Sequence, residues 1–357
     1  MKRFSVSKAL AAALLVILLV SCSKSGSKNK NLIDVKIGIG NTGAAGVLSI
    51  IAAEANFDEE FGLNFIIEPI DNASNAIAAV ESGKVDMSGW SSAAPLAYIA
   101  SGNDNLLIIG GIMSNYETFI TRPENRDLWS GKLTADFLKG KKIGVNRTNS
   151  GDIALRGYFA ENGIDLGTIT YVELDSPATV IEAVKNGSVD SGIVNGSFFT
   201  AAEKQGLVNV RFVRDILGED FICCRQVVHK DNLAKDPEKW VNVEKALIRA
   251  YQFYKNPANQ QKVVEYAKTF FLTESPVVQF LLFEYGDLNV EPDPQIKGIE
   301  KYYEGMKRCG YIEAGNQVKI ADFVDGSAYK KALTELVAAS PNDVYLKELS
   351  AFYAKYN

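Results

Sequence analysis

Apolar and polar positions along the chain fall into alternating short runs, and one such run is written twice. Ile77-Ala-Ala-Val-Glu-Ser-Gly-Lys-Val-Asp86 returns as Ile181-Glu-Ala-Val-Lys-Asn-Gly-Ser-Val-Asp190, with six of the ten positions identical. Each copy reads as an amphipathic helix stopped at Gly83 or Gly187, where glycine tolerates the left-handed backbone that ends a helix. A short apolar strand follows, opened by Val85-Asp86 or Val189-Asp190. Upstream, Lys36-Ile-Gly-Ile39 matches Lys142-Ile-Gly-Val145, each a strand running into a loop and a helix. The offset is 106 residues at those strands and 104 at the helices, so the copies differ by two residues of loop. A repeat of this length carries a βαβ unit with a further helix and strand. That excludes a solenoid and predicts two similar α/β domains facing one another.

The remaining pattern fills in both copies. Strands are expected over 34–39, 63–70, 85–92 and 106–111, with helices over 47–56 and 93–101. The second copy supplies strands over 143–145, 169–174 and 191–194, and a helix over 152–162. Residues 116–122 and 220–228 read as strands crossing between the domains, and 208–215 reads as another strand. From Asp231 onward the spacing is mostly helical, over 237–255, 258–271, 275–283, 293–309 and 327–338. These late helices are expected to return to the first domain. The division is therefore a first lobe of 34–118 plus 227–357 and a second lobe of 119–226.

The start of the chain has a different character. Lys2, Arg3 and Lys8 precede an unbroken apolar run from Ala9 to Val20, twelve residues long. That is too short to span a bilayer and right for the apolar centre of a signal peptide. It ends in Leu19-Val20-Ser21-Cys22, which resembles a bacterial lipobox. Residues 1–21 are expected to be removed and Cys22 to be acylated, and two or three acyl chains anchor stably where one does not. An ordinary secretory signal with an incidental cysteine is the other reading. Residues 22–33 comprise the lipidated cysteine and a flexible, polar tether.

Removing Lys2, Arg3 and Lys8 takes the net charge from −5 to −8. An acidic chain with no basic stripe argues against nucleic acid as a partner. About 335 residues remain after the signal, enough for two α/β domains with their own cores.

Candidate chemistry sits where strands run into helices. Thr42, Gly43 and Ala44 lie in a small-residue loop after the first strand, ahead of a helix N-terminus. The spacing Gly38-x-Gly40-x-x-Gly43 fits a bare dinucleotide pattern, yet the acidic residue that should follow the second strand is missing. Trp90, Ser91 and Ser92 close the first repeat strand, as ligand-stacking and donor groups or as a core indole with helix-capping serines. Arg147, Thr148, Asn149, Ser150 and Gly151 carry the strongest ligand signal. Their hydroxyls, amide and N–H groups can meet an anion with a charge-assisted bond from Arg147, or simply cap the helix beside a solvated arginine. Asn195 and Gly196 occupy the corresponding end of the second repeat, with Asn195 at the position of Ser91.

Several segments together resemble one family. They are Leu138-Lys-Gly-Lys-Lys-Ile-Gly-Val145, the helix ending Glu161-Asn-Gly-Ile-Asp165, the second repeat up to Asp190, and the tail Gly310-Tyr-Ile with Asp322-Phe-Val-Asp325. In that order they resemble the nitrate/sulfonate/taurine-type substrate-binding proteins of ABC importers, a group that includes thiamine-precursor binders. The resemblance covers roughly 35–338. It implies a type II periplasmic-binding-protein fold, α/β, with two lobes joined by two crossing strands and the ligand in the cleft. It implies no cofactor, a monomer, an ABC permease as partner, and pocket loops at 42–44, 90–92, 148–151 and 195–196. Glu117, on the first crossing strand, would contact a cationic ligand or serve as a hinge partner. The ligand the resemblance implies is an anion such as a sulfonate or nitrate, while Trp90 and Glu117 suit a small heterocycle or amine at least as well.

An enzyme is not expected. His229 is the single histidine, and no nucleophile or metal-ligand spacing accompanies it. Cys223-Cys224 resembles a cysteine cluster of related fungal pyrimidine-precursor synthases, but the cluster is shorter and this chain carries an export signal. With Cys22 lipidated, three cysteines remain, compatible with one disulfide from Cys309 to either neighbour or with none. The reading is a membrane-anchored solute-binding protein facing the periplasm or cell exterior. A ligand-presenting or adhesin-type lipoprotein is the alternative.

Overall fold

The computed structural model describes residues 31–40, 44–146, 149–271 and 274–357. The expected signal peptide, Cys22 and nearly all of the tether lie outside the described residues. Contacts set residues 1–32 apart from one unit, Ile33–Asn357, which holds every element below.

Among the described residues, the strands are β1 (Ile33–Ile39), β2 (Leu63–Pro69), β3 (Met87–Ser91), β4 (Leu106–Ser114), β5 (Glu117–Thr121) and β6 (Lys142–Asn146). They continue with β7 (Thr170–Leu174), β8 (Ser191–Asn195), β9 (Val208–Phe212), β10 (Ile222–His229) and β11 (Asn289–Val290). One sheet runs β11-β4-β10-β3-β1-β2 and the other β7-β6-β8-β5-β9. β1 pairs in parallel with β2 and β3, as β6 does with β7 and β8. β10 lies antiparallel between β3 and β4, and β5 lies antiparallel between β8 and β9. Each repeat therefore gives its fifth strand to the sheet of the other. This is the two-sheet α/β architecture expected from the repeat.

The exchange places the crossings more sharply than the sequence pattern did. Neither β5 nor β10 spans both sheets, because a central strand commits its N–H and C=O groups to two neighbours of one sheet. The chain changes sheets in the connections at 115–116 and 218–221, ahead of the expected boundaries after 118 and 226. Strand β9 stops at Phe212 and a short helix, Val213–Leu217, replaces the rest of the strand expected over 208–215. The expected helix over 293–309 starts only at Ile296, after Pro292 and Pro294. A last helix, Val344–Tyr356, lies beyond the elements expected from the pattern; Asp343 caps it by accepting the Tyr345 and Leu346 N–H groups.

The repeated motif has a shared structural reason. Gly83 and Gly187 take φ of 69° and 79°, the left-handed turn after each helix. The Asp that ends each motif then ties its strand to the neighbouring one. Lys36 N–H donates to Asp86 Oδ2 at 2.9 Å while Asp86 N–H donates to Lys36 O at 2.8 Å. Lys142 and Asp190 make the same two bonds, both at 2.8 Å.

Successive residues of the central strands feed opposite faces, as the two-residue period requires. Phe119 packs with Trp129, Leu138 and Phe159, while Ile120 packs with Val180, Val184 and Ala202. Helix Pro237–Lys255 covers one face of the first sheet with buried Trp240, Val243 and Leu247. Helix Ile296–Arg308 covers the other with Ile299, Tyr303 and Met306.

Arg225, fully buried on β10, locks the first sheet. Its guanidinium donates to Met113 O at 2.9 Å, Cys224 O at 2.8 Å, Pro294 O at 3.0 Å and Ser114 Oγ at 3.3 Å, and sits 3.4 Å from Glu291 Oε1. Replacing Arg225 by Met removes the guanidinium donor from three buried carbonyls and the cation beside Glu291, and a loss of about 3–5 kcal/mol is expected. Urea unfolding monitored by circular dichroism measures it; a loss below about 1 kcal/mol would refute this role.

Candidate functional site

A cavity of about 370 Å³ lies between the two sheets, at the ends of strands β3, β6 and β8. Its walls follow the internal repeat. Gly40 and Asn146 face it at the 106-residue offset, and Ser91 and Asn195 at the 104-residue offset. Asp71-Asn72-Ala73 and Asp175-Ser176-Pro177 do the same, again 104 apart. Asn72 caps helix Ala73–Glu81 by accepting Asn75 N–H at 2.9 Å. Ser176 caps helix Pro177–Lys185 through a capping box, accepting Thr179 N–H at 3.2 Å. Asp71 and Asp175 stand one residue before these caps, where a negative charge meets the positive end of the helix dipole.

The floor comes from the two connections and the exchanged strands. Asn115 and Tyr116 both hold positive φ, 64° and 94°, which side-chain-bearing residues seldom adopt. Neighbouring groups fix this backbone on every side. Asn115 N–H donates to Phe221 O at 2.9 Å, and its side chain accepts Phe221 N–H and donates to Asp220. Tyr116 N–H donates to Asp287 Oδ2 at 2.9 Å, its carbonyl accepts Gly196 N–H at 2.7 Å, and its hydroxyl lies 2.9 Å from Ser197 Oγ. Strain held in this way concentrates at functional sites.

Next to Tyr116 comes Glu117, 2 % exposed. Cys223 Sγ donates to its Oε1 at 3.7 Å, while Oε2 has no hydrogen-bond partner among the described residues. Burial pushes the Glu117 carboxyl well above the usual carboxylate range, helped by Cys223 and Asp287, with only the Gly151 N–H pulling the other way. Gly151 has to be glycine for this packing. A Cβ there would sit 2.7 Å from Glu117 Cβ and 2.9 Å from Cγ. Cys223 and Cys224 Sγ atoms lie 3.4 Å apart, and the Cys224 contact followed by burial pushes the Cys223 thiol well up. Cys223 is thus a thiol rather than a reactive thiolate. Cys223, Cys224 and Cys309 are all free.

The expected site residues divide clearly by position. Trp90, Ser91, Glu117, Asn149, Ser150 and Asn195 line the cavity together. Trp90 packs on Gly40, where a Cβ would meet its ring at 2.7 Å. Asn149 caps helix Ser150–Glu161 by accepting Asp152 N–H at 2.8 Å. Ser91 Oγ and Ser150 Oγ, from opposite walls, lie 2.9 Å apart, and Ser150 Oγ donates to Cys223 O at 3.1 Å. Ser92, Ala44 and Gly196 are buried behind the lining, Gly196 against the Tyr116 ring. Thr42, Gly43, Arg147 and Thr148 lie outside the described residues.

Tyr116, Met113, Ser197, Phe198, the cysteine pair and the two Asp-led helix starts also line the cavity, although their spacing alone does not single them out. The helix starts were discoverable by extending the 104-residue offset upstream to Asp71 and Asp175. Among the described lining residues the charged groups are Asp71, Glu117 and Asp175, all acidic. No cluster of three or more His, Cys, Asp or Glu among the described residues could hold a metal ion.

Asp287 links this floor to Arg214, whose Nε lies 3.4 Å from Asp287 Oδ1. Burial pushes its carboxyl up to about 6. For a raised acid, stability is fully present below the unfolded value near 3.8 and is lost as pH rises through about 6. Asp287→Asn should therefore gain stability on the wild type across that window, by about 1–3 kcal/mol at neutral pH. Thermal unfolding from acid to neutral pH checks this; an offset that does not vary with pH would contradict it.

Comparisons with known proteins bear on the family and the fold. A family model described as NMT1/THI5 like matches residues 43–260. A Brucella abortus (strain 2308) protein named as a binding protein is 25% identical over 225 residues, 62% of this chain and 67% of that protein. The periplasmic nitrate-binding protein NrtA from Synechocystis PCC 6803 superposes with a TM-score of 0.68 at 17% identity, covering 86% of this chain and 90% of that one. The periplasmic aliphatic sulphonate binding protein SsuA from Escherichia coli gives 0.66 at 14% identity, covering 84% and 99%.

Proposed function

The chain belongs to the NMT1/THI5-like family, and from that premise we propose that it is a solute-binding protein which captures a small molecule between its two lobes and delivers it to an ABC permease. One observation carries the reading: corresponding residues of the two repeats face each other across a single cavity, with strained connections at its floor. A ligand touching both walls favours the closed arrangement by the contacts it makes only there. Trp90, Ser91, Asn149, Ser150 and Asn195 would hold the ligand, joined by Thr42, Gly43, Arg147 and Thr148 from the adjoining loops.

The protein acts at the cell envelope as a lipoprotein tethered through Cys22. The pattern Leu19-Val20-Ser21-Cys22 after a charged start and an apolar run supports this. No helix among the described residues is long and apolar enough to cross a membrane. The reading is of a binder rather than an enzyme, supported by fold neighbours named as nitrate- and sulphonate-binding proteins.

Thermal unfolding against alkanesulfonates, nitrate, taurine, polyamines, pyrimidines, thiamine and riboflavin tests capture. A solute at 100 times its dissociation constant adds about 2.7 kcal/mol, a readily visible shift. Trp90→Ala should weaken the same solute about tenfold to a hundredfold. Binding untouched by Trp90→Ala would place the site elsewhere. For the anchor, Cys22→Ser should move the protein from the membrane to the soluble fraction; retention in the membrane would refute acylation at this residue.

A further inference from the structure

The cavity floor holds a buried acceptor without a donor. Glu117 Oε2 has no hydrogen-bond partner among the described residues, although the side chain is almost wholly buried and faces the cleft. An orphaned buried oxygen is expensive, and a ligand that supplies its donor recovers that cost on binding. The other charged lining residues among those described, Asp71 and Asp175, are acidic too. Trp90, Tyr116 and Phe198 add aromatic surface to the same cavity. Aromatic faces beside a carboxyl are a favourable setting for a positive nitrogen. The capped helix starts at Asn72 and Ser176 do not reverse this, since each cap already takes one N–H and an aspartate stands beside each end.

We propose that the solute is a small organic cation, and that Glu117 selects it by receiving the charged N–H group at Oε2. This rests on the solute-binding reading and names its ligand class. It distinguishes the protein from the neighbours whose names specify nitrate or sulphonate.

The groups facing Glu117 are Cys223 on β10, Tyr116 beside it, Asp287 with its partner Arg214, Tyr285, Tyr302 and the Gly151 N–H. Burial, Cys223 and Asp287 hold this carboxyl well above the usual carboxylate range, so a bound cation favours its ionised form and draws protons off as it binds. Cation affinity then rises with pH, and heat of binding depends on the buffer's own ionisation.

The test is titration calorimetry of the full chain in mild detergent, with benzamidinium and putrescine as cationic probes and nitrate and ethanesulfonate as anionic ones. A cation should bind, release a proton, and bind more tightly as pH rises. Glu117→Gln keeps the shape and removes the charge. It should weaken the cation about tenfold to a hundredfold and abolish proton release. A proton effect that survives Glu117→Gln belongs to Asp287 and overturns the assignment, as does cation affinity unchanged by the substitution. Binding of nitrate or ethanesulfonate that Trp90→Ala abolishes overturns the cation assignment while leaving solute capture intact. Silence from all four probes also overturns it, and the broader solute panel then decides solute capture separately.

Discussion

The exchange of β5 and β10 is the constraint on which the rest of this structure depends. Each strand fills the slot beside the last parallel strand of the other repeat's sheet, β10 next to β3 and β5 next to β8. Withdrawing either would leave both of its neighbours with unpaired backbone groups inside a core. The two sheets are therefore tied together by the interior of each, rather than by a surface patch that could come apart. The same exchange sets the site. Glu117 opens β5 directly after one crossing, and Cys223 and Cys224 come just inside β10 after the other. The crossings run together through Asn115 and Phe221, so the first residues of both exchanged strands meet at the cavity floor.

Meeting there forces unlike demands on a few atoms. Tyr116 and Asn115 carry unusual backbone angles, and Glu117 is buried with one oxygen unpaired. A fold optimised only for stability would remove such features, because strain and unsatisfied polar groups each cost kilocalories. These features fall within three consecutive residues, of which Tyr116 and Glu117 line the cavity, and such strain concentrates at functional sites. Arg225 shows the contrast: equally buried, it has carbonyl, hydroxyl and carboxyl partners on every side, and its role is structural.

Much of this was legible in the sequence because it is repeated. The duplicated helix-Gly-strand motif located two α/β halves, and its offset predicts corresponding wall residues, with Ser91 and Asn195 both at the cavity. The strand exchange was harder to read. Alternation marks β5 and β10 as strands but carries no information about which sheet receives them, since pairing is set by long-range contacts. Tyr116, Asp71 and Asp175 escaped for a related reason. A tyrosine before a strand and an aspartate before a helix cap are ordinary locally, and only the fold turns them toward one space. The C-terminal helix Val344–Tyr356 was missed although Asp343 supplies a capping signal.

Movement between the lobes is limited by what spans them. Helix Ser150–Glu161 forms part of the cleft wall at its start, where Ser150 bonds across the floor to Ser91 and Cys223. Farther along, it touches helix Ile296–Arg308 at Gly157, where a Cβ would lie 2.9 Å from Gly305 Cα. The two glycines let the backbones approach closely, while Ile153 packs with Ile299 and Tyr302 beside the crossing and Tyr302 Oη donates to Ser150 O at 3.2 Å. The hydrogen bonds across the floor add to this packing, each contributing about 0.5–1.5 kcal/mol net. A balance of that size is within reach of a small ligand, because shifting a two-state equilibrium from 1:99 to 99:1 takes about 5.5 kcal/mol of differential contact. Glu117 Oε2, without a hydrogen-bond partner among the described residues, supplies such contact only when a ligand reaches the floor. A ligand contact at the floor can thus bias the two lobes while the exchanged strands hold them together.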